Sequence, residues 1–349
     1  MKLDDLIRQT GEWLKAEGPD ADIVISSRIR IARNVKDLPF YGWAGKKEKN
    51  EALAVVRSAV ESSKYMKGSL FLEVSKLGEI DKIFLVERHL MSKEHAAGNE
   101  AKALAVDEKE IISIMINEED HIRAQVMQSG FNLIGSWRIL NQLDDDLDKY
   151  ITYAFSNKFG YLTACPTNIG TGLRASVMMH LPGLIYTGHI GRVLQAISKL
   201  GVTARGMYGE GTEASGNFFQ ISNQVTLGHS EEDIVDNITK LINQVIGRER
   251  SARDYLMSND KHAVTDRIWR AYGTLKSARI ITSDEAIRLF SLIRLGVDIG
   301  IIKDVERSVL NQLFILTQPA HLQKIEAKKL TSGERDIKRA DLIRDRFRT

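Results

Sequence analysis

Cysteine is almost absent: Cys165 is the only one in 349 residues. No intrachain disulfide can form and no cysteine-rich zinc site can be built. Long apolar runs are missing too. None approaches the roughly 20 residues that span a bilayer, and the N-terminus has no signal-peptide core, so the expectation is a cytoplasmic protein with no membrane partner. Charge of one sign is not in excess: 49 Lys and Arg stand against 46 Asp and Glu, a formal net charge of +3. Such a balance offers no argument for direct nucleic-acid binding. There is no G-x-x-x-x-G-K-[ST] phosphate loop, and no glycine loop, lysine and catalytic-loop set of the Ser/Thr protein kinases. Internal repeats, low-complexity tracts and long linkers are lacking as well.

What is there is ordinary globular composition, 43% hydrophobic and 27% charged, in a chain long enough for two domains and a substantial core. Chemistry concentrates in residues 165–177, C-P-T-N-I-G-T-G-L-R-A-S-V. Pro166 fixes the backbone there, and Gly170 and Gly172 leave amides open to close approach by a ligand. Thr171 is expected to cap a helix running through Ala175 and Met179, with Arg174 in its first turn facing an anion such as phosphate. A lone cysteine is more often a buried small hydrophobe than a reactive group. Beside proline, a glycine turn and several arginines, Cys165 has a setting that favours thiolate.

In chain order, Leu3, Ile7, Trp13 and Leu14 suggest an opening amphipathic helix that ends near Gly18-Pro19. Residues 22–31 alternate like a strand, which puts Arg28 and Arg30 on one face; two like charges side by side make sense if both meet an anion. Residues 51–63 read as helix, 70–74 and 82–87 as strands, and 111–116 as a central strand running into Asn117. His89 sits where it can stack on or hydrogen-bond a nucleotide, although a lone loop histidine is more often surface. Glu118, Glu119 and Asp120 form an acidic triplet between two strands, usually a solvated turn. Residues 131–150 are helical, and the aspartates at 144–146 and 148 are expected on an exposed face because calcium-loop spacing is absent. A helix at 189–200, a strand at 202–208, a glycine-bearing loop at 205–213 and a strand at 218–225 follow. The acidic run after Ser230 opens a long helix. From about residue 250 the pattern is wholly helical, with turns expected near Gly273, Gly296, Gly300 and Gln318-Pro319.

Four segments together resemble the phosphagen (guanidino) kinases: Ser27-Arg28-Ile29-Arg30, residues 117–123 (N-E-E-D-H-I-R), the cysteine stretch, and the loop from Arg205 to Glu213. They occur in the family's order across residues 22–230. Arg335-Asp336-Ile337-Lys338-Arg339-Ala340 further resembles the R-D-x-x-R-A motif of the bacterial protein arginine kinases in that superfamily. The resemblance to this branch covers nearly the full length. It implies an α+β fold, with an antiparallel sheet flanked by helices in residues 1–254 and an all-helical dimerisation and regulatory domain in 255–349. It also implies transfer of the γ-phosphoryl group of ATP, with Mg²⁺ held mainly through the nucleotide, to arginine side chains of proteins. Such marking would commit proteins to an AAA+ unfoldase and its protease, or inactivate a transcriptional repressor. A zinc-binding activator protein and a homodimer are the other implied partners.

Residue by residue, the resemblance makes Glu119 the catalytic base, Glu210 a second substrate-clamping carboxylate and Cys165 a substrate contact. ATP and phosphate would be held by Ser27, Arg28, Ile29, Arg30, His89, Arg123, Arg174, Ala175, Ser176, Val177, Met178, Arg205, Gly206 and Gly209. Arg335, Asp336, Arg339 and Ala340 would receive phosphoarginine as an allosteric ligand. Arginines four apart on a helix cost roughly 0.2–0.5 kcal/mol unless an anion lies between them, which supports that reading over a solvated helix end. The chemistry is coherent. A guanidinium is a poor nucleophile until a proton leaves it, carboxylates can hold its fork and take that proton, and arginines can neutralise the transferring phosphoryl group.

Kinases of small guanidines carry a helical domain ahead of the R-x-R strand, whereas Arg28 comes almost at once here. A site open to protein-borne arginine is therefore expected. Met115, Met178 and Tyr208 also replace the Trp, His and Arg of those enzymes. The alternatives are a small-guanidine phosphagen kinase and a non-catalytic phosphoarginine-binding adaptor.

Overall fold

The computed structural model describes residues 2–98, 100–206 and 215–347. The opening segment is a one-turn helix α1 (Asp5–Arg8) and a separate 3-10 turn at Glu12–Leu14, not one amphipathic helix. Leu6 and the Trp13-Leu14 pair enter different apolar clusters. Strand β1 (Val24–Arg33), helix α2 (Lys46–Ser62) and strand β2 (Leu70–Glu73) follow. Residues 82–87 belong to helix α3 (Glu79–Glu87), which corrects the expected strand. Ile80, Phe84 and Leu85 recur at helical spacing and acidic residues occupy the first turn, signals that a six-residue window is too short to separate from alternation.

Helix α4 (Lys93–Ala97) leads into β3 (Ala103–Val106), β4 (Ile112–Ile116) and β5 (Ile122–Ser129). Then come α5 (Leu133–Leu147), the small hairpin β6 (Phe155–Ser156) and β7 (Gly160–Tyr161), and β8 (Leu173–His180). The expected helix at 171–179 is this strand. Leu173, Ala175, Val177 and Met179 are buried on one face while Arg174, Ser176 and Met178 take the other, a period of two. Thr171 caps nothing. Instead Gly172, at φ +63°, turns so tightly that a Cβ would stand 2.6 Å from the Ala32 carbonyl oxygen.

Helices α6 (Pro182–Tyr186) and α7 (Ile190–Ser198) connect to β9 (Val202–Gly206), and β10 (Phe218–Asn223) precedes the long α8 (Glu231–Asn259). Ser230 caps α8, accepting from the Asp233 amide at 3.1 Å. Beyond it lie α9 (Lys261–Ser277), α10 (Ser283–Asp298), α11 (Arg307–Leu316), α12 (Pro319–Ile325) and α13 (Ser332–Arg346). Gly273 and Gly296 fall inside α9 and α10 and make no turns. A Cβ on Gly296 would stand 2.6 Å from Ile268 Cγ2, so the glycine lets the two helices approach. The boundary expected at 254 falls inside α8.

The sheet runs β2-β3-β4-β5-β1-β8-β10-β9, antiparallel throughout. One face is apolar along its length and is covered by α2, α5 and α8, with Ile29, Ile31, Ala124, Ala175, Val177 and Ile221 in that core. The other face is graded. Toward one end Ile25, Met127 and Phe218 pack under the C-terminal helices, and Met178 leans on the same cluster. Toward the other end the same strands carry arginines and stay uncovered. Helix packing thus closes half of a sheet face and leaves a polar cleft in the remainder.

The aspartate run is split: Asp145 and Asp148 are exposed as expected, whereas the other two are not. Asp144 and Asp146 are buried. Asp144 accepts from the 1%-exposed side chain of Arg33, and Asp146 from Ser63 Oγ at 2.8 Å. No helix among the described residues is long and apolar enough to cross a membrane.

Candidate active site

Antiparallel register assembles the cationic wall. Arg30 of β1 lies opposite Arg174 of β8, Arg28 lies opposite Ser176, and Arg205 of β9 lies opposite Gln220 of β10. With Arg123 of β5 these arginines line a cleft of about 540 Å³, together with Glu94, Glu118, Glu119, Gln220 and Ser222. Among the described residues only Arg123 has a carboxylate partner there, Glu118 Oε1 at 2.5 Å. Arg28 makes do with Gln220 Oε1 at 3.0 Å and the Ser176 hydroxyl at 3.4 Å. The buried Nε atoms of Arg30 and Arg174 have no partner among the described residues.

Burial, then Arg123 and Arg174, push the Arg28 pKa down to about 10. Arg30 is driven well below the ordinary guanidinium range by burial and by Arg28, Arg123 and Arg174, with Glu118 opposing. Arg174 is lowered by burial, Arg205 and Arg123, against a counteracting Cys165. Guanidinium groups stay protonated in proteins, so the shifts register unrelieved repulsion. A polyanion entering the cleft would relieve it and satisfy the idle donors.

The acidic turn between β4 and β5 divides its labour. Glu118 accepts from Ser92 Oγ at 2.7 Å, from Arg123 and from the Glu119 amide at 3.0 Å. Burial would raise its pKa, but Arg123 and these hydrogen bonds hold it below the usual range. Asp120 accepts from Asn34 Nδ2 at 2.6 Å and the Ala164 amide at 2.7 Å. It thereby ties the residue before Cys165 to the turn. His121 is structural: Nδ1 accepts from the Val35 amide at 3.1 Å, which leaves Nε2 to donate to the Pro39 carbonyl at 3.1 Å. Glu119 alone is exposed, and no side chain among the described residues holds its carboxylate. Partial burial and the nearby Asp120 and Glu118 charges raise its pKa, against Arg123. A free carboxylate of raised basicity beside an arginine wall can orient a cationic nucleophile and take its proton.

Cys165 is half-buried, with Sγ 3.0 Å from Thr167 Oγ1. Arg33, which sequence reading passed over, sets the approach to this segment. Its guanidinium lies 3.4 Å from the centre of the Tyr161 ring and donates to the Thr171 carbonyl at 2.7 Å, just ahead of the Gly172 turn. Nothing in the local sequence separates Arg33 from Arg28 and Arg30, because Asp144 is 111 residues away. Gln220 and Ser222 could have been found, since they alternate with buried Phe219 and Ile221.

The expected phosphate-binding residues do not all face the cleft. Ser27, Ile29, Ala175 and Val177 point to the opposite, helix-covered face, as period-two alternation requires. Ser27 Oγ donates to the Gly130 carbonyl at 2.9 Å and accepts from the Asn132 amide at 2.9 Å. Met178 lies at the covered end with Trp13, Phe218 and Phe314. His89 is half-buried beside Trp13, ring centroids 5.3 Å apart, and its carbonyl accepts from Gln125 Nε2 at 2.7 Å. Gly206 ends β9 opposite Phe219. Gly209 and Glu210, with Tyr208, lie outside the described residues.

Far from the cleft, Arg335 and Arg339 of α13 face different ways. Arg339 is 1% exposed and donates to the Thr317 and Ile281 carbonyls, each at 2.8 Å, while pairing with Asp336 at 2.5 Å. Arg335 is partly exposed and donates to the Leu330 carbonyl at 3.2 Å. Ala340 is buried.

Residues 51–252 match the family model of the ATP:guanido phosphotransferase C-terminal catalytic domain, and residues 261–349 match that of the protein-arginine kinase McsB C-terminal domain. The chain is 49% identical over 349 residues to a protein-arginine kinase of Halothermothrix orenii, covering 99% of both. It is 46% identical over 341 residues to that of Pelotomaculum thermopropionicum, covering 96% of this chain and 95% of the relative. Among solved structures, a lombricine kinase superposes with a TM-score of 0.59 at 26% identity, over 71% of this chain and 76% of its own. A duplicated taurocyamine kinase of Schistosoma mansoni superposes at 0.61 and 24% identity, over 71% of this chain and 38% of its own, which supports the fold.

Proposed function

The chain belongs to the ATP:guanido phosphotransferases, on their protein-arginine kinase branch, and from that premise we propose that the cleft phosphorylates arginine side chains of proteins. The observation that carries the assignment is the arginine wall facing Glu119, whose carboxylate is raised in basicity and has no side-chain partner among the described residues. Arg28, Arg30, Arg174 and Arg205 would take the phosphates of ATP. Arg123, already neutralised by Glu118, would border the transferring group. Glu119 would orient the attacking guanidinium nitrogen and accept its proton as the bond to phosphorus forms. Glu210 is retained as the second clamp from the family motif, and Cys165 as a substrate contact held near the turn through Ala164 and Asp120.

A magnesium ion would ride on the nucleotide's phosphates and neutralise charge there. The wall fits such an arrangement, since it presents cationic donors to the phosphates.

The helices after α8 would form a dimerising and regulatory unit. Phosphoarginine there would meet Arg335 and compete with Arg339 for Asp336. The marked proteins would pass to an AAA+ unfoldase-protease or, for a repressor, lose function, with a zinc-binding activator assisting in the cytoplasm. The test is incubation with Mg-ATP, an unfolded protein and free arginine together, scoring acid-labile phosphate by mass spectrometry. Label on protein arginine that disappears in Glu119→Gln is expected. Label on free arginine alone would overturn the assignment.

A further inference from the structure

We propose that residues 39–45 form a docking surface for the protein substrate, on which Trp43 receives an apolar side chain flanking the target arginine. The inference rests on the function proposed above. Trp43 is 87% exposed, more than any other large hydrophobic side chain among the described residues. Its loop is well fixed: the Trp43 and Ala44 amides both donate to the Phe40 carbonyl, at 2.8 and 3.0 Å, and the Phe40 and Trp43 rings lie 6.4 Å apart.

The loop, at Pro39, and the first turn of α2 that follows it, at Lys49, both hang from the turn that carries Glu119. His121 Nε2 donates to the Pro39 carbonyl at 3.1 Å, and Asn117 Nδ2 donates to the Lys49 carbonyl at 2.9 Å. Part of the hydrogen bonding of the turn thus holds the segment that carries an indole in water, although the indole fills no core. Tethering to the Glu119 turn points to the occupant, a polypeptide that brings a guanidinium to that carboxylate. A small guanidine has no side chains beyond itself to lay there. A polypeptide does, and one whose apolar residues are unfolded into solvent presents them most readily. Aromatic anchors of this kind carry a disproportionate share of binding energy at protein surfaces.

The test compares a permanently unfolded, reduced and alkylated protein with a blocked Gly-Arg-Gly peptide as phosphate acceptors. Trp43→Ala should raise KM for the unfolded protein about tenfold and leave both constants for the peptide unchanged, and Trp43→Phe should restore most of the loss. An unchanged KM for the protein overturns the proposal while leaving the kinase assignment intact. Equal losses on both acceptors also overturn it, since the loop would then act through the Glu119 turn. Dissociation of an oligomer in Trp43→Ala, seen by sedimentation, would reassign the surface to a second copy of the chain. Absence of arginine phosphorylation by the unsubstituted enzyme removes the assignment and this proposal together.

Discussion

Replacing Asp144 by alanine tests how the fold supports the cleft. Arg33 is 1% exposed and places Nε 3.0 Å and Nη2 2.6 Å from Asp144 Oδ2. Without Asp144 a buried cation keeps, as its one carboxylate partner among the described residues, Glu231, 3.2 Å away and 20% exposed. Removing one partner of a buried pair costs about 3–5 kcal/mol, and the surviving Glu231 contact places the expected loss near the lower end, about 3 kcal/mol. Against a total stability of roughly 5–15 kcal/mol that is a large fraction, readable by urea unfolding. Function should suffer with it, because Arg33 also donates to the Thr171 carbonyl and so steadies the Gly172 turn leading into Arg174. KM for ATP should rise. The double variant Arg33→Met, Asp144→Leu removes both charges and should regain most of the stability. It should not regain KM, since the Thr171 carbonyl would still lack its donor. A loss below about 1 kcal/mol in Asp144→Ala, the value of an exposed pair, would refute the account of Arg33. A normal KM in the double variant would refute its link to the turn.

Three further outcomes are expected. Glu119 must be ionised to accept a proton and its pKa is raised, so kcat/KM should fall with decreasing pH above the ordinary carboxylate value of about 4.3; an acid limb at or below that value would count against Glu119 as base. His95 is pushed down to about 4 by burial first and then by Lys102, so it stays neutral in the fold while the unfolded chain takes a proton below about 6.5. Its contribution to stability is therefore present above pH 6.5 and is lost as pH falls toward 4, on the order of 1.4 kcal/mol per pH unit. His95→Gln should flatten the pH dependence of urea unfolding by that slope, and an unaltered slope would contradict the assignment. Arg335→Ala with Asp336→Ala should abolish any activation by added phosphoarginine, read as the ratio of rates with and without it; an unchanged ratio rules out the receptor.

The alternation of residues 22–31 and the acidic turn at 117–121 were legible because each is decided within a few residues. The strand at 173–180 was misread because its glycine-rich lead-in mimics a helix start, and only pairing with β1 and β10 selects the extended form. The same limit hid the burial of Asp144 and Asp146, whose partners Arg33 and Ser63 are distant in sequence. Arg335 and Arg339 looked equivalent on helical spacing, yet packing of α13 against the ends of α10 and α11 draws one guanidinium inside and leaves the other out.

By itself the sequence determined the class of chemistry: arginines in place of a lysine phosphate loop, an acidic turn, a single cysteine in a glycine-flanked stretch, and a helical tail with its own motif. Motifs survive in one dimension because the chemistry demands particular side chains at short, fixed spacings. Tertiary structure decided which side chains act together. Antiparallel register brought Arg28, Arg30, Arg123, Arg174 and Arg205 to one wall, C-terminal helices covered the apolar end of that face, and long-range hydrogen bonds from Asp120 and His121 tied Ala164, next to the cysteine, and Pro39 to the turn that carries Glu119. Those contacts join residues tens to hundreds of positions apart, and burial and hydrogen-bond satisfaction, which belong to the whole fold, selected them.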